Sequence, residues 1–123
     1  MGRVVNFHLP AGDVQRAVSF YGDVFGWSFA PLGDGSVPYY HATAQGTGVE
    51  TAITARTHEI AHPAPTIEVD DIDDAMARIA ILGGQQSIVR DFPGIGRFGY
   101  AKDCEGNVIA LLQRTDSTVK SPG

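Results

Sequence analysis

Three side chains in this sequence could carry chemistry from inside a pocket: His8, Glu50 and His41. An imidazole changes protonation near neutral pH, and a carboxylate that orients it makes the pair an acid–base device. Two histidines and one carboxylate are also a donor set that suits non-haem iron. The blander role for His8 and Glu50 is to line a wet pocket mouth and hydrogen-bond water or ligand. Their cooperation depends on the strands that carry them. Val4–Leu9 alternates, with Val5, Phe7 and Leu9 apolar and Asn6 and His8 polar, the pattern of a half-buried strand. Glu50 belongs to a second such run, Val49–Ala55, and shares its face with Ala52 and Thr54. If the two strands are neighbours, His8 and Glu50 approach each other. His41 falls on the opposite, core-facing side.

Other chemically suggestive residues have structural explanations. Asp13 and Asp71 stand where helices begin, and capping accounts for both. Cys104 is the single cysteine, which rules out an internal disulfide and a Cys-rich zinc site. It sits in a turn with no evident base or cation to activate its thiol. His58 and His62 lie in a proline-rich connection and are expected to be exposed. Glu68, near a strand end, is expected to be solvated, and Trp27 to pack beside a helix end. Gly94, Gly96 and Gly99 do not form a nucleotide-binding motif, because no helix follows them.

A chain of 123 residues is one small domain, or two very small modules sharing a core. Its 43% hydrophobic and 19% charged residues suit a globular fold rather than disorder. Fifteen glycines and seven prolines imply many turns and argue against a bundle of long helices. The net charge of −5, with no basic run, lacks the footprint for phosphate backbones or anionic lipid. No nucleic acid or membrane partner is therefore expected. No apolar run approaches the roughly 18–20 residues of a membrane span. The N-terminal residues show neither a signal-peptide nor a myristoylation pattern, so a soluble, cytoplasmic protein is expected.

The chain aligns with itself at an offset of 58 residues. Asp13, Val14, Ala17 and Gly26 fall on Asp71, Ile72, Ala75 and Gly84; Gly48, Ala52, Ile53 and Arg56 fall on Gly106, Ala110, Leu111 and Arg114. No gap is needed. Module 1 covers about 1–56, a connection about 57–64, module 2 about 65–114, and a Ser/Thr/Pro/Gly tail 115–123. Each module reads as strand, helix and three strands. Module 1 has Val4–Leu9, a helix from Val14 to Phe25 closed by Gly26, then Trp27–Leu32, Pro38–Ala44 and Val49–Ala55. Module 2 has Thr66–Val69, a helix stripe of Ile72, Ala75, Met76 and Ile79, then Gln85–Arg90, Arg97–Lys102 and Asn107–Gln113.

Strand alternation puts Val5, Phe7, Leu9, Ile53, Ile67, Val69, Ile109 and Leu111 beneath the helices. The other face carries Asn6, His8, Glu50, Ala52, Thr66, Glu68 and Ala110, a mixture natural to a concave pocket. A three-residue turn at Asp103–Asn107, with Gly106 left-handed, sets Tyr100 opposite Ala110 and Phe98 opposite Leu112, both facing the pocket. The repeat then puts Tyr40 there too.

Phe7-His8-Leu9-Pro10 followed by Asp13, Phe20-Tyr21 and Val24-Phe25-Gly26-Trp27 resembles the vicinal oxygen chelate superfamily, which includes glyoxalase, bleomycin-resistance and extradiol dioxygenase proteins. Val69-Asp70-Asp71-Ile72, Leu82-Gly83-Gly84 and Asp103-Cys104-Glu105-Gly106-Asn107 agree in module 2. The resemblance implies an α+β fold of two tandem βαβββ modules whose curled mixed sheets form a shared cup, often within a homodimer. In metal-dependent members, four His or Glu side chains enter the cup from the first and last strand of each module. Carried over, those positions are Asn6, Ala52, Ala64 and Ala110, which offer one amide and three methyl groups. No metal or other cofactor is therefore expected. The leading expectation is a metal-independent protein of the bleomycin-resistance type that holds a partly apolar small molecule. Its pocket is lined by Asn6, His8, Tyr40, Glu50, Ala52, Thr66, Phe98, Tyr100 and Ala110. The alternative is a lyase, isomerase or cyclase using His8 and Glu50 as acid–base groups, with or without a metal relocated to His8, His41 and Glu50. A scaffold with a vestigial pocket is the third.

Overall fold

The alternating runs become strands of a single sheet. The computed structural model describes residues 2–32, 39–42 and 50–114; the tail at 115–123 and the flanks of the expected 38–44 strand lie outside the described residues. In chain order the elements are β1 (Arg3–Ala11), α1 (Val14–Phe25), β2 (Phe29–Pro31), β3 (Tyr39–Ala42), β4 (Glu50–Ala55), β5 (Ala64–Glu68), α2 (Ile72–Ile81), β6 (Val89–Phe92), β7 (Gly96–Lys102) and β8 (Val108–Arg114). Both helices start on an aspartate. Asp13 accepts a hydrogen bond from the Arg16 backbone N–H and Asp71 from that of Asp74, each at 3.1 Å. Helix α1 stops at Gly26, whose φ of 73° is left-handed.

The sheet order is β2-β3-β4-β1-β5-β8-β7-β6. β1 pairs parallel with β4, and β5 parallel with β8, while β1 and β5 run antiparallel across the middle. Two βαβββ units therefore meet along β1 and β5 and curl into one half-barrel, the expected α+β architecture. The convex face carries the helices. Ile53, Val14 and Ala11 form one small core under α1, and Ile72, Met76, Ala101 and Leu111 a second under α2. Phe7, expected beneath the helices, stays 42% exposed, because α1 lies on β4 and β1 and α2 on β7 and β8. No helix among the described residues is long and apolar enough to cross a membrane.

Two expectations about the repeat need correction. The strand expected at Gln85–Arg90 is a single bridge between Gln85 and Lys102, after which the chain leaves the sheet until Val89. The second correction concerns the gapless offset. It holds at 58 residues for β4 and β8, where Ala52 pairs with His8 and Ala110 with Thr66. It becomes 59 for β3 and β7, because His41 sits opposite Ala52 and Tyr100 opposite Ala110. The hairpin from β3 to β4 is one residue longer than its counterpart, and the one from β2 to β3 is one residue shorter. One residue of register moves every side chain of β3 to the other face.

The turn after α2 gives a direct test of packing. A Cβ on Gly84 would collide with the Lys102 carbonyl oxygen and lie 2.7 Å from Ile79 Cγ2. Gly84→Ala is expected to cost about 1–3 kcal/mol, a fall in melting temperature of roughly 4–10 °C. Gly12→Ala, whose new methyl meets nothing nearer than an Arg56 nitrogen at 3.8 Å, is the control and should shift stability by about 0.5 kcal/mol or less. Equal melting temperatures for the two variants would refute this account.

Candidate functional site

The floor of the cup is built from the inward positions of the four central strands. Asn6 lies beside Glu50 and Thr66, and His8 beside Ala52 and Ala64, while Ala110 adjoins Thr66. Small methyl side chains at 52, 64 and 110 leave the height that an imidazole can fill, and His8 is only 2% exposed. Its ring is stacked on Phe98, with centroids 5.3 Å apart and planes at 16°. Nδ1 lies 3.3 Å from the Tyr100 hydroxyl and Nε2 3.5 Å from the Tyr39 hydroxyl. Burial lowers the His8 pKa to about 4, so the ring is neutral at pH 7, with one N–H donor and one bare acceptor nitrogen. Burial also pushes the Tyr39 phenol up to about 12 and raises Tyr100, so both hydroxyls stay protonated. Asn6 Oδ1 and Thr66 Oγ1 are buried beside this group, and no hydrogen-bond partner is found for either among the described residues.

Above the imidazole is a chamber of about 170 Å³. Its apolar walls are Phe92, Ile95, Phe98 and Ile60, joined by the rings of Tyr39 and Tyr100. Ile60 belongs to the connection between the modules yet is only 1% exposed, because that segment bends over the cup. The bend is fastened by Glu59, whose carboxylate accepts from Ser87 Oγ at 2.9 Å and from Arg90 Nη1 at 3.1 Å. A second cleft of about 190 Å³, lined by polar groups such as Gln85, Gln86, Ser87 and Lys102, shares Glu59 and Tyr100 with the chamber.

The structure brings some of the sequence candidates together and separates others. Asn6, His8, Ala52, Thr66, Phe98, Tyr100 and Ala110 lie on the cup side in the expected register. Tyr40 does not. The one-residue shift in β3 turns it toward α1, where it packs near Ile53 and its hydroxyl accepts from Gln15 Nε2 at 2.7 Å. The same shift corrects His41, which the repeat places on the core face. It stands on the cup side and makes a 2.9 Å contact between Nε2 and Glu50 Oε1. Glu50 therefore joins His41 rather than His8. Glu68, expected to be solvated, is held by Arg3 and Arg114, each at 3.2 Å. His58, His62 and Cys104 are exposed. Trp27 stacks on Tyr21 at 5.5 Å beside the end of α1.

Four chamber residues escape a strand-by-strand reading, among them Ile95 in the turn between β6 and β7. Tyr39 is hidden by the unequal hairpins. Ile60 carried a signal, as the one large aliphatic side chain in a stretch of Thr, His, Glu, Ala and Pro. Phe92 belongs to a strand that begins four residues later than expected.

The four positions that hold metal in metal-dependent proteins of the resembled superfamily are testable on donor chemistry. Ala52, Ala64 and Ala110 have no donor atoms, and the Asn6 carbonyl oxygen is a single hard ligand. These residues do not fit a metal. The relocated set fails on geometry, since among the described residues no three His, Cys, Asp or Glu side chains converge.

Residues 3–37 match the family model described as bleomycin resistance protein-like N-terminal. A glyoxylase-like domain-containing protein of Didymella fabae is 30% identical over 121 residues, 92% of this chain and 94% of that protein. Among solved structures, methylmalonyl-CoA epimerase from Mycobacterium tuberculosis superposes with a TM-score of 0.64 at 14% identity, covering 95% of this chain and 89% of that one. A glyoxalase/bleomycin resistance protein/dioxygenase superfamily member from Vibrio splendidus 12B01 gives 0.62 at 17% identity, covering 93% and 99%. With a relative this similar along nearly its whole length and two βαβββ units sharing one cup, the chain belongs to the glyoxalase-like family of the vicinal oxygen chelate superfamily.

Proposed function

We infer that this protein binds a small, partly apolar organic molecule in the chamber above His8, without a metal. The observation that carries the reading is the chamber itself: about 170 Å³ walled by aromatic and aliphatic side chains around a neutral imidazole. An apolar cavity of roughly 150 Å³ accommodates benzene, so the space matches one substituted ring. Phe98, stacked on His8, and Ile60 from the connection between the modules both line the space a ring would fill. The alanines at the superfamily's metal positions support a role for the protein's own polar groups in place of an ion.

A second reading, an acid–base lyase, isomerase or cyclase, draws on one observation. The imidazole–carboxylate pair on the cup side is His41 with Glu50, partly open to solvent. His8, sandwiched and neutral, is a weak base. If proton transfer occurs, Glu50→Gln should cut turnover by roughly 10²–10⁴-fold while leaving affinity for a chamber ligand intact.

Binding is tested by an NMR screen of single-ring aromatics, with Phe98→Ala and Ile60→Ala alongside. Bound rings are expected to shift the amides of Phe98 and Tyr100, and Phe98→Ala to weaken them about tenfold or more. Hits that map elsewhere and ignore both substitutions would end this reading. Metal independence is tested by calorimetric titration of chelator-treated protein with Fe²⁺, Mn²⁺, Ni²⁺ and Zn²⁺. No stoichiometric micromolar heat is expected; tight binding abolished by His41→Ala and Glu50→Ala would overturn it.

The neutral state of His8 has its own signature. Burial holds its folded pKa at about 4, below the ordinary imidazole value of 6.5. Between those values the unfolded chain takes up a proton that the native chain refuses. The contribution to stability is whole above pH 6.5 and declines as pH falls toward 4, by about 3 kcal/mol in all. Denaturant midpoints of wild type and His8→Phe should therefore converge or cross as pH drops through this window. Parallel curves would show that His8 is already solvated in the native protein.

A further inference from the structure

Resting on the binding reading above, we propose that the chamber selects aromatic ligands bearing a carbonyl-type hydrogen-bond acceptor, gripped by an unspent phenolic O–H of Tyr39 or Tyr100. The argument is a count of hydrogens. The two nitrogens of His8 each face one phenol, Nδ1 toward Tyr100 at 3.3 Å and Nε2 toward Tyr39 at 3.5 Å. A neutral imidazole brings one N–H and the phenols bring two O–H groups, so three hydrogens serve two contacts. One phenol donates to the bare nitrogen. The other accepts from the ring N–H and keeps its own hydrogen. A protonated ring would leave both phenols with theirs. In every protonation state at least one phenolic O–H is left over, and no second partner for either hydroxyl is found among the described residues.

That leftover donor is placed where it matters. Both tyrosines line the chamber; Phe92, Ile95, Phe98 and Ile60 accept nothing, Thr57 Oγ1 already accepts from the Glu59 and Ile60 backbone N–H groups, and among the described residues neither phenol donates to Thr54. Glu59 and Arg90 at the rim already satisfy each other. Both contacts to His8 are long for hydrogen bonds, so either hydroxyl can turn to a better acceptor at small cost. A donor buried without a partner carries a desolvation penalty, and a ligand that supplies an acceptor removes it. The phenols come from opposite modules, Tyr39 on β3 and Tyr100 on β7. Exchange of the imidazole between its two tautomers therefore decides which wall presents the donor. The pair behaves as one donor with two addresses, suited to a single acceptor on a flat apolar body.

The test uses two probes of nearly equal shape, acetophenone and ethylbenzene, titrated into the intact protein and into Tyr39→Phe, Tyr100→Phe and the double variant. The readout is the ratio of the two dissociation constants. Each single variant still has one phenolic hydrogen to spare, so the preference for the ketone should persist in both. The double variant should lose it, because the one donor left, the His8 N–H, belongs to a ring only 2% exposed and stacked on Phe98; the ratio should fall about fivefold or more, with ethylbenzene affinity held within about twofold as proof of an intact chamber. A ratio that survives in the double variant, or that is no different in wild type, overturns the acceptor proposal and leaves the binding reading standing. Failure of both probes to bind wild type at millimolar concentration sinks the binding reading, and the proposal with it.

Discussion

The antiparallel pairing of β1 with β5 is the constraint from which the site follows. Each βαβββ unit alone has an exposed edge on its first strand, with a row of unpaired N–H and C=O groups that water or another chain must satisfy. Joining the two first strands satisfies both edges at once and continues the right-handed twist into a half-barrel. It also settles the occupants of the centre. Asn6 is set against Thr66 and His8 against Ala64, so the polar residues of β1 are driven to the middle of a concave surface rather than to its rim. A bulge between Val4 and Asn6 lets Arg3 reach Glu68 at the end of the same seam.

Once His8 is at the centre, burial dictates its chemistry. Full enclosure between two alanines, Phe98 and two tyrosines removes the water that would stabilise a positive ring, and among the described residues no carboxylate pairs with it. The imidazole that looked like a base is held instead as a neutral hydrogen-bonding plate. The carboxylate that seemed meant for it is taken by His41 one strand away. Alanine at the superfamily's ligand positions is part of the same arrangement: larger donors there would occupy the space the imidazole fills. Methyl groups at those positions and an imidazole at the centre are thus two sides of one packing solution, though it leaves Asn6 Oδ1 and Thr66 Oγ1 without partners among the described residues.

How much of this was legible in the sequence depended on the reach of the signal. Alternation and caps are local, so β1, both helices and the Asp103–Asn107 turn, with Gly106 at φ 84°, could be read from a few residues each. The resemblance to a known family supplied the pairing of modules that local patterns cannot. The face of β3 was not legible, because it depends on the lengths of the two hairpins flanking it, and these differ between the modules by one residue in opposite senses. The two differences cancel along the chain, so the repeat aligns without a gap while one strand is turned over. Tyr39 and Tyr40, adjacent and identical in type, made the error invisible to composition. The path of the connection over the cup was equally out of reach, since it depends on Glu59 meeting Ser87 and Arg90 from a distant strand.

The turned strand is also what makes the site asymmetric. In perfect repeat register, Tyr40 would have faced the cup and both Tyr39 and His41 the core. Glu50 would then have had no imidazole beside it, and Nε2 of His8 would have lost the phenol now facing it. With β3 shifted by one residue, each module contributes one phenol, and the two reach opposite nitrogens of a ring that belongs to the first module alone. A pseudo-symmetric cup thereby acquires a centre that can donate to either side but only once at a time. The duplicated fold provides the walls, and the departure from exact duplication provides the chemistry.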